Sequence, residues 1–444
     1  MVSIDEAYGR AETGTGLLTD HYELTMVRGA LRSGTAGRRS VFEMFARNLP
    51  AGRRYGVVAG PGRLLEALRN FRFGDAELAF LERAQITDGP TLAFLRDYKF
   101  SGSIWGYAEG DCYFPGSPIL VVEGTFAEAV ILETLALSVY NHDCAIASAA
   151  TRMVNAAAGR PLIEMGSRRT HEQAAVAAAR AAYIAGFATT SNLRAGYQYG
   201  VPTSGTSAHA FTLLHDDERH AFQTQLDTLG PGTTLLADTY EVPAAIKTAV
   251  ELAGPDLGAV RIDSGDLATV AREVRAQLDS LGARRTRIVL TGDLDEFSIA
   301  ALAAEPVNGY GVGTSLVTGS GAPTAALVYK LVARADTDEP GPLRPVAKRS
   351  VGKPSRGGRK WAVRQLGPDG HAEVELVTDT EPDGDAGGRA LLQLLVRDGE
   401  IVGGEPLASA RARHQAVVAE LPGHARQLSR GYPAIPTVFR PDSD

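Results

Sequence analysis

The stretch AVRIDSGDLATVAREVRAQLDSLGARRTRIVLTGD, residues 259–293, decides the fold. It opens with a short apolar run, Ala259–Ile262, passes into an alanine-containing helical pattern, Ala268–Leu281, and returns to a second run, Arg287–Leu290. A strand, a helix and another strand in this order predict a βα unit on a parallel sheet. Both runs end in polar turns that contain glycine, DSGD and TGD.

The same alternation continues on both sides of this stretch. Further strands are predicted at Pro161–Glu164, Thr234–Ala237 and Gly309–Val312, with helices at His171–Ala185 and Val242–Leu252. In a parallel α/β fold the chemistry lies at the carboxyl ends of the strands, whether the sheet closes into a barrel or stays open and doubly wound. The pattern therefore predicts an α/β fold and leaves both forms of sheet open.

The flanking segments have a different, α+β texture. Strands are predicted at Ser40–Phe45, Tyr55–Ala59 and Ile119–Glu123, and a late helix at Leu407–Leu428. Asp20 followed by Glu23 predicts a helix start with a capping box. The change of texture divides the chain into three segments, residues 1–140, 141–334 and 335–444.

Composition excludes several classes of protein. The net charge of −7 argues against a non-specific nucleic-acid binder. Two cysteines rule out a disulfide framework and make a cysteine-based zinc site improbable. The N-terminus shows no signal-peptide pattern and no run of about 18 apolar residues occurs, so we expect a cytoplasmic protein.

The strongest candidate site lies at the end of the strand Ala259–Ile262. Arg261 and Asp263 are two residues apart, so they share one face of the strand. Burying both is costly unless they pair with each other or with a ligand. The structural alternative is a strand-end ion pair, with Asp266 capping the next helix.

Three further motifs are weaker when each is taken alone. Gly313, Thr314 and Ser315 follow a strand, and glycine and hydroxyl groups there suit a phosphate, as does Gly292 on the neighbouring strand end. Arg168 follows another strand end and could bind a carboxylate in a bidentate fork, although surface charge is the commoner reason for such a residue. His209 lies among small residues, where a structural histidine is the usual outcome.

The segment 344–364 reverses the local charge of an acidic chain. It carries eight basic residues and no acidic one: Arg344, Lys348, Arg349, Lys353, Arg356, Arg359, Lys360 and Arg364. A solvated loop is the usual outcome for such a run, and attraction of a polyphosphate is the functional alternative.

In their order along the chain, these motifs resemble the nicotinate phosphoribosyltransferases. The matching segments are LLTDHYELTM, FEMFARNLP, EMGSRRTHEQ, GFATTSN, GVPTSGTSAHAF, RIDSGDL, GVGTSLVT and VYKLV, between residues 17 and 332. TSAHAF and RIDSGDL together are specific, and the part after residue 364 matches less distinctly.

The resemblance implies the type II phosphoribosyltransferase fold, an irregular, TIM-like α/β barrel with a second α/β domain formed by N-terminal and C-terminal segments. It implies a homodimer with the active site at the subunit junction. The reaction would join nicotinate to 5-phosphoribosyl 1-pyrophosphate and release pyrophosphate, as a step of NAD biosynthesis. ATP would drive it through a phosphohistidine, by motif His209, and Mg²⁺ would bridge the pyrophosphate oxygens.

The resemblance also implies a role for each matching residue. Arg261 and Thr206 would bind nicotinate, with Arg168 nearby, and Tyr22 would stack on the pyridine ring. Asp263 and Asp266 would order ribose hydroxyls or the waters of the metal, and no direct protein ligand to the metal is expected. The 5-phosphate would be held by Gly292, Gly313, Thr314 and Ser315, and the pyrophosphate by Arg47, Lys348 and Lys360 of the partner subunit.

Four alternatives remain at this stage. A nicotinamide phosphoribosyltransferase could use an acid to accept the amide N–H, and GFATTSN has Thr189 and Thr190 but no acid. A quinolinate phosphoribosyltransferase would lack the TSAHAF element. A non-catalytic phosphosugar-binding barrel would be expected to lose His209 or the Arg261 and Asp263 pair. A nucleic-acid role for the basic segment is disfavoured by the net acidity and by the lack of interleaved aromatic residues other than Trp361.

Overall fold

The computed structural model describes residues 14–339, 341–348, 355–382 and 388–440. The chain divides into two compact units. Unit 1 comprises residues 1–144, 324–425 and 431–444, and unit 2 comprises residues 145–323 and 426–430. The division thus falls after Cys144 and after Pro323, where the sequence analysis placed boundaries after residues 140 and 334.

Unit 2 is built on a six-stranded parallel sheet. In spatial order its strands are Thr189–Thr190, Leu162–Glu164, Gly309–Val312, Arg287–Leu290, Ala259–Ile262 and Thr234–Leu236. The first and last long strands of the unit, Leu162–Glu164 and Gly309–Val312, pair with each other. That cyclic order belongs to a barrel rather than to a doubly wound sheet, and within the described residues the ring is open beside Thr189–Thr190.

The helices of unit 2 follow the strands as the sequence predicts. They are Glu172–Ile184, Leu193–Tyr199, His209–Leu214, Glu218–Leu229, Val242–Ala253, Leu267–Ser280, Glu296–Ala301 and Thr314–Val317, with 3₁₀ turns at Gly254–Asp256 and Leu302–Ala304. The strand side chains Leu235, Val260 and Ile288 are fully buried. Burial of these apolar strands under amphipathic helices accounts for the core of this unit.

Unit 1 is mainly antiparallel. Its seven-stranded sheet has the order Arg344–Pro345, Leu327–Arg334, Arg39–Ala46, Leu120–Thr125, Ser103–Tyr107, Leu392–Arg397 and Glu400–Ile401. A second sheet contains Arg389–Ala390, Trp361–Leu366, Ala372–Thr378 and Thr437–Arg440, and a small one pairs Gly56–Val57 with Cys112–Tyr113. Segments from both ends of the chain therefore complete unit 1.

The helices of unit 1 lie mostly in the N-terminal part of the chain. They are His21–Ser33, Pro61–Arg69, Asp75–Arg83, Gly89–Arg96, Phe126–Val130 and Leu407–Glu420, with a 3₁₀ turn at Gly423–Arg426. The capping box at Asp20 is present, because the Glu23 carboxylate accepts the Asp20 N–H at 3.2 Å. The helix Glu133–Ala157 runs from the sequence of unit 1 into that of unit 2. Among the described residues, no helix is both long and apolar enough to cross a membrane.

Candidate active site

The polar residues predicted at strand ends meet at the carboxyl edge of the parallel sheet of unit 2. Because parallel strands all end at the same edge, the turns after Leu162–Glu164, Thr234–Leu236, Ala259–Ile262, Arg287–Leu290 and Gly309–Val312 are neighbours.

Arg261 and Thr206 are in direct contact. The Arg261 guanidinium donates from Nη1 to the Thr206 hydroxyl at 2.5 Å and to the Ser207 carbonyl at 3.3 Å. Its Nε is buried and has no hydrogen-bond partner in the described part of the chain. A buried donor without an acceptor is costly, so this guanidinium is suited to an incoming anion.

Opposing charges act on Arg261. Burial lowers the pKa of its guanidinium, the carboxylates of Asp263 and Asp238 oppose that shift, and the charge of Arg168 adds to it. An arginine stays protonated under such shifts, so the group remains a cation. Arg168 itself is exposed, which places a second cation within electrostatic reach of Arg261.

Asp238 is a further candidate site residue, which was not predicted from the sequence. Its Oδ2 accepts the Asp263 N–H at 2.9 Å and the Ser264 hydroxyl at 2.7 Å, so it fixes the RIDSGD turn. Its Oδ1 is buried without a partner among the described residues. The signal was present, because Asp238 follows the strand Thr234–Leu236 in the way that Asp263 follows its own strand.

Asp263 is held from the neighbouring strand end. The Thr291 hydroxyl donates to the Asp263 carboxylate in a short hydrogen bond. Gly292, at φ +114°, comes so near that a Cβ there would lie 2.5 Å from the Asp263 carbonyl oxygen. Gly292 is therefore required by the close approach of two turns, in addition to any role toward a phosphate.

Asp266 adopts the structural alternative. It is the N-cap of the helix Leu267–Ser280, and its carboxylate accepts from the Thr269 N–H at 3.3 Å and the Thr269 hydroxyl at 3.1 Å. The Thr269 N–H is the main reason why the pKa of Asp266 is lowered. The side chain is exposed, so the cap accounts for the residue without a ligand.

The turn after Gly309–Val312 carries the predicted phosphate residues. Thr314 is exposed, and Gly313 and Ser315 are half-buried. The helix that begins at Thr314 has only four residues, Thr314–Val317, so it adds little dipole to the turn. Any anion here would rely on backbone N–H groups and on the hydroxyls.

His209 is the first residue of the helix His209–Leu214 and is half-buried. Its Nδ1 lies 3.1 Å from the Thr239 hydroxyl, one residue after Asp238, and Nε2 has no partner in the described part of the chain. Thr239 would orient the ring and leave Nε2 available. Two other histidines are engaged locally: His215 bonds the Phe211 carbonyl at 2.8 Å, and His171 accepts from the Gln173 N–H.

A buried glutamate supports the EMGSRR turn. Glu164 accepts the Gly166 N–H at 2.5 Å and a short hydrogen bond from the Thr190 hydroxyl. Burial raises the pKa of Glu164, and these two donors oppose the shift. The turn that carries Arg168 is therefore braced by Glu164, a residue that sequence reasoning quoted without giving it a role.

Tyr22 lies in unit 1, on the helix His21–Ser33. Its side chain is 46% exposed. The pKa of its hydroxyl is raised by burial first and then by the nearby carboxylates of Glu133, Glu23 and Asp20. The phenol is therefore a neutral hydrogen-bonding group with an accessible ring.

Arg47 and Lys360 line one cavity of unit 1, of about 540 Å³. Lys360, however, is buried, and its Nζ donates to Glu43 at 2.9 Å and to the carbonyls of Arg356 and Gly358 at 3.0 Å each. Lys348 is exposed and is not among the lining residues. The structure thus places Arg47 and Lys360 in one cavity, but the charge of Lys360 is compensated by Glu43.

The basic segment 344–364 contains residues in different environments, so neither the solvated loop nor the polyphosphate site predicted from the sequence describes all of it. Arg364 is fully buried between Asp111, at 2.9 Å, and Glu375, at 2.6 Å. Arg359 pairs with Glu123 at 2.9 Å, and its guanidinium carbon lies 3.4 Å from the centre of the Trp361 ring. Two residues of the segment, Arg349 and Lys353, lie outside the described residues. Three of its six described cations, Arg359, Lys360 and Arg364, are therefore engaged within the fold.

Comparison with known proteins identifies the fold. The family model of the nicotinate phosphoribosyltransferase N-terminal domain matches residues 17–141. The crystal structure of human nicotinic acid phosphoribosyltransferase superposes with a TM-score of 0.81 at 27% identity, covering 95% of this chain and 97% of that chain. Fold and site together define a phosphoribosyltransferase of the irregular-barrel type.

Sequence relatives narrow the class to one family. Nicotinate phosphoribosyltransferase pncB1 of Mycobacterium tuberculosis (strain ATCC 25618 / H37Rv) is 60% identical over 437 residues, covering 95% of this chain and 94% of the relative. Nicotinate phosphoribosyltransferase of Bacillus subtilis (strain 168) is 35% identical, covering 82% and 76%. This chain belongs to the nicotinate phosphoribosyltransferase family.

Proposed function

We propose that this chain transfers phosphoribosyl from 5-phosphoribosyl 1-pyrophosphate to nicotinate, giving nicotinate mononucleotide and pyrophosphate, as a step of NAD biosynthesis. The observation that carries the proposal is Arg261, with its buried, unpartnered Nε and its contact to Thr206 at the carboxyl edge of the sheet. A planar carboxylate on a pyridine ring matches a guanidinium fork.

In the proposed reaction, the pyridine nitrogen attacks C1 of the ribose while the bond from C1 to the pyrophosphate oxygen breaks. Positive charge grows on the ribose and negative charge on the leaving group, so the enzyme must align the reactants and stabilise both charges. Asp263, held by Thr291 and by the turn that Asp238 fixes, would meet the ribose. Gly292, Gly313, Thr314 and Ser315 would hold the 5-phosphate, and Tyr22 would stack on the pyridine.

Magnesium would enter with the pyrophosphate, whose oxygens would hold it, and would offset charge on the leaving group. Two carboxylates at this edge fit such an ion: Asp263, and Asp238, whose Oδ1 is buried without a partner among the described residues while its Oδ2 accepts the Asp263 N–H. Asp263, with Asp266 as the alternative, would order the waters of the ion. In the proposed homodimer, Arg47 and Lys348 of a second subunit would approach the pyrophosphate, and Lys360, predicted with them from the sequence, would act through its buried pair with Glu43 rather than by direct contact.

ATP coupling would act through His209. Its unpartnered Nε2 would attack the γ-phosphate, the bond to the ADP oxygen would break, and water would later cleave the phosphohistidine to release phosphate. The position of the ring, with Nδ1 at Thr239, supports this assignment.

The test uses the purified chain with nicotinate, 5-phosphoribosyl 1-pyrophosphate and Mg²⁺, with and without γ-labelled ATP. We expect nicotinate mononucleotide, acid-labile labelling of the protein and faster turnover with ATP. His209→Ala should abolish labelling and nicotinate-stimulated ATP hydrolysis and leave slow, uncoupled transfer. Labelling that persists in the variant would place the phosphate elsewhere, and absence of the mononucleotide with the wild type would reject the function.

A further inference from the structure

The cavity of unit 1 holds more positive charge than its own acid can neutralise. Among the described residues, three cations line it, Arg47, Arg356 and Lys360, and Glu43 is the one carboxylate. Lys360 and Glu43 pair at 2.9 Å, and both side chains are almost fully buried. The two arginines are left as the uncompensated charge of the cavity.

Neither arginine has a carboxylate partner within the described part of the chain. Arg47 Nε is buried and has no hydrogen-bond acceptor there. Arg356 is exposed, and its guanidinium carbon lies 4.2 Å from the centre of the Phe439 ring. A guanidinium stacked on a ring keeps its N–H groups in the plane, where they can bind phosphate oxygens.

Arg356 is restrained at both ends. Its carbonyl oxygen accepts from Lys360 Nζ at 3.0 Å, and its guanidinium rests on Phe439. Phe439 lies on the strand Thr437–Arg440, opposite Val377 of the neighbouring parallel strand. A pre-positioned arginine loses less side-chain entropy when it binds an anion.

Room for the Phe439 ring comes from a glycine. Gly116 has φ +86°, and a Cβ at that position would approach Phe439 Cζ to 3.1 Å. The C-terminal strand therefore fits the cavity wall closely, and its aromatic side chain faces the same cavity as Arg47.

We propose that Arg356 binds the polyphosphate of a substrate together with Arg47, and that Phe439 of the C-terminal strand is the positioning residue that holds its guanidinium. This inference rests on the proposed function, which supplies two polyphosphates, 5-phosphoribosyl 1-pyrophosphate and ATP. Lys360 then serves mainly to hold Glu43 and the Arg356 carbonyl, rather than to contact phosphate directly.

The experiment measures binding of inorganic pyrophosphate with Mg²⁺ by calorimetry, and KM for each of the three substrates. Arg356→Ala should weaken pyrophosphate binding about ten-fold or more, the size expected for a lost charge-assisted contact. KM for 5-phosphoribosyl 1-pyrophosphate, for ATP or for both should rise, which identifies the polyphosphate served, while KM for nicotinate stays unchanged. Arg397→Ala is the matched control, because Arg397 is an exposed arginine on the strand Leu392–Arg397 of unit 1.

Two substitutions of Phe439, one aliphatic and one aromatic, test whether the aromatic ring holds the Arg356 guanidinium. Phe439→Leu should weaken pyrophosphate binding by about two- to five-fold. Phe439→Tyr should keep the wild-type affinity, because only an aromatic face attracts the cation. In the Arg356→Ala background, Phe439→Leu should have no further effect. Thermal unfolding of each variant verifies that it is folded.

Wild-type pyrophosphate binding by a folded Arg356→Ala variant would overturn the inference, as would equal losses in Phe439→Leu and Phe439→Tyr. A wild-type enzyme that binds pyrophosphate but makes no nicotinate mononucleotide would instead reject the proposed function. The two failures are therefore distinguishable.

Discussion

At the scale of single residues, the pKa of the Glu218 carboxyl, a group near the site, is shifted into a range where its titration can be followed. It lies in the first turn of the helix Glu218–Leu229, and its Oε1 is buried without a partner among the described residues. Burial, together with the charge of Asp238, raises its pKa to about 7. The folded chain therefore keeps a proton that the unfolded chain releases near pH 4.5.

The sign of the pH effect follows from that difference. Between pH 4.5 and 7 the native state binds more protons than the unfolded state, so the contribution of Glu218 to stability falls as pH rises. Glu218→Gln removes this titration and keeps the shape of the side chain. We expect the Tm of the variant, relative to wild type, to be higher at pH 8 than at pH 5.

The control for this prediction is Glu273→Gln, which makes the same charge change on an exposed side chain. We expect the difference in Tm between Glu273→Gln and the wild type to be the same at pH 5 and at pH 8. Equal differences for Glu218→Gln at pH 5 and pH 8 would show that Glu218 titrates normally.

Residue contacts differ in how far the sequence predicts them. Arg261 and Asp263 could be predicted as neighbours because two-residue spacing fixes a common strand face. The contacts of Asp238 with Asp263 and of Thr206 with Arg261 join different strand-end loops, so no local pattern indicates them. Lys360 and Glu43 form a pair although most of the chain lies between them in sequence. The sequence therefore contains no sign of this pair, and the basic segment suggested more unpaired positive charge than the fold contains.

At the scale of elements, Asp266 separates a structural role from a ligand role. As N-cap of the helix Leu267–Ser280, it should tolerate asparagine, whose side-chain oxygen also accepts from the Thr269 N–H. We expect Asp266→Ala to lower the denaturant concentration at the unfolding midpoint, because the Thr269 N–H loses its acceptor. Asp266→Asn should keep the stability of the wild type, as measured by denaturant unfolding.

The kcat values of the same two variants test whether Asp266 also acts on the ribose hydroxyls or on the waters of the metal. If the carboxylate only caps the helix, Asp266→Asn retains the wild-type kcat. A large loss of kcat in a stable Asp266→Asn variant would show that the charge itself acts on the ribose hydroxyls or on the waters of the metal.

The strands and helices of unit 2 were the most predictable elements. Ala259–Ile262, Arg287–Leu290 and Gly309–Val312 have the predicted bounds, because each is a short apolar run between polar turns. Thr189–Thr190 was missed as a strand because two residues show no periodicity. The predicted strand Tyr55–Ala59 is shorter, Gly56–Val57, and the predicted helix Leu407–Leu428 ends at Glu420.

At the scale of the whole molecule, the strand order decides between the two sheets that the sequence left open. The pairing of Gly309–Val312 with Leu162–Glu164 joins segments far apart in sequence, and it gives the cyclic order of a barrel. The strand Leu327–Arg334 likewise pairs with Arg39–Ala46 in unit 1, although it directly follows the sequence of unit 2. Pairings between distant segments carry no local signal, so the periodicity predicted only the α/β class. The family resemblance predicted the irregular barrel with a second α/β domain from N-terminal and C-terminal segments, and that prediction is confirmed.

The central claim is that the molecule recognises the charge of nicotinate through Arg261. Nicotinate and nicotinamide have nearly the same shape, so discrimination must come from charge and hydrogen bonding. The amide would leave the Arg261 guanidinium unpaired, at a cost of about 2–5 kcal/mol, or roughly 30-fold or more in affinity. Arg261→Lys should rescue turnover only partly, because an ammonium cannot reproduce the bidentate geometry.

The most direct measurement is kcat/KM for nicotinate and for nicotinamide, with 5-phosphoribosyl 1-pyrophosphate and ATP, in wild type, Arg261→Ala and Arg261→Lys. Thr206→Ser, which keeps the hydroxyl that accepts from Arg261, is the matched control. We predict at least about 30-fold preference for nicotinate in wild type and in the control, with nicotinate turnover lost in Arg261→Ala. Comparable kcat/KM values for the two substrates in the wild type would contradict it.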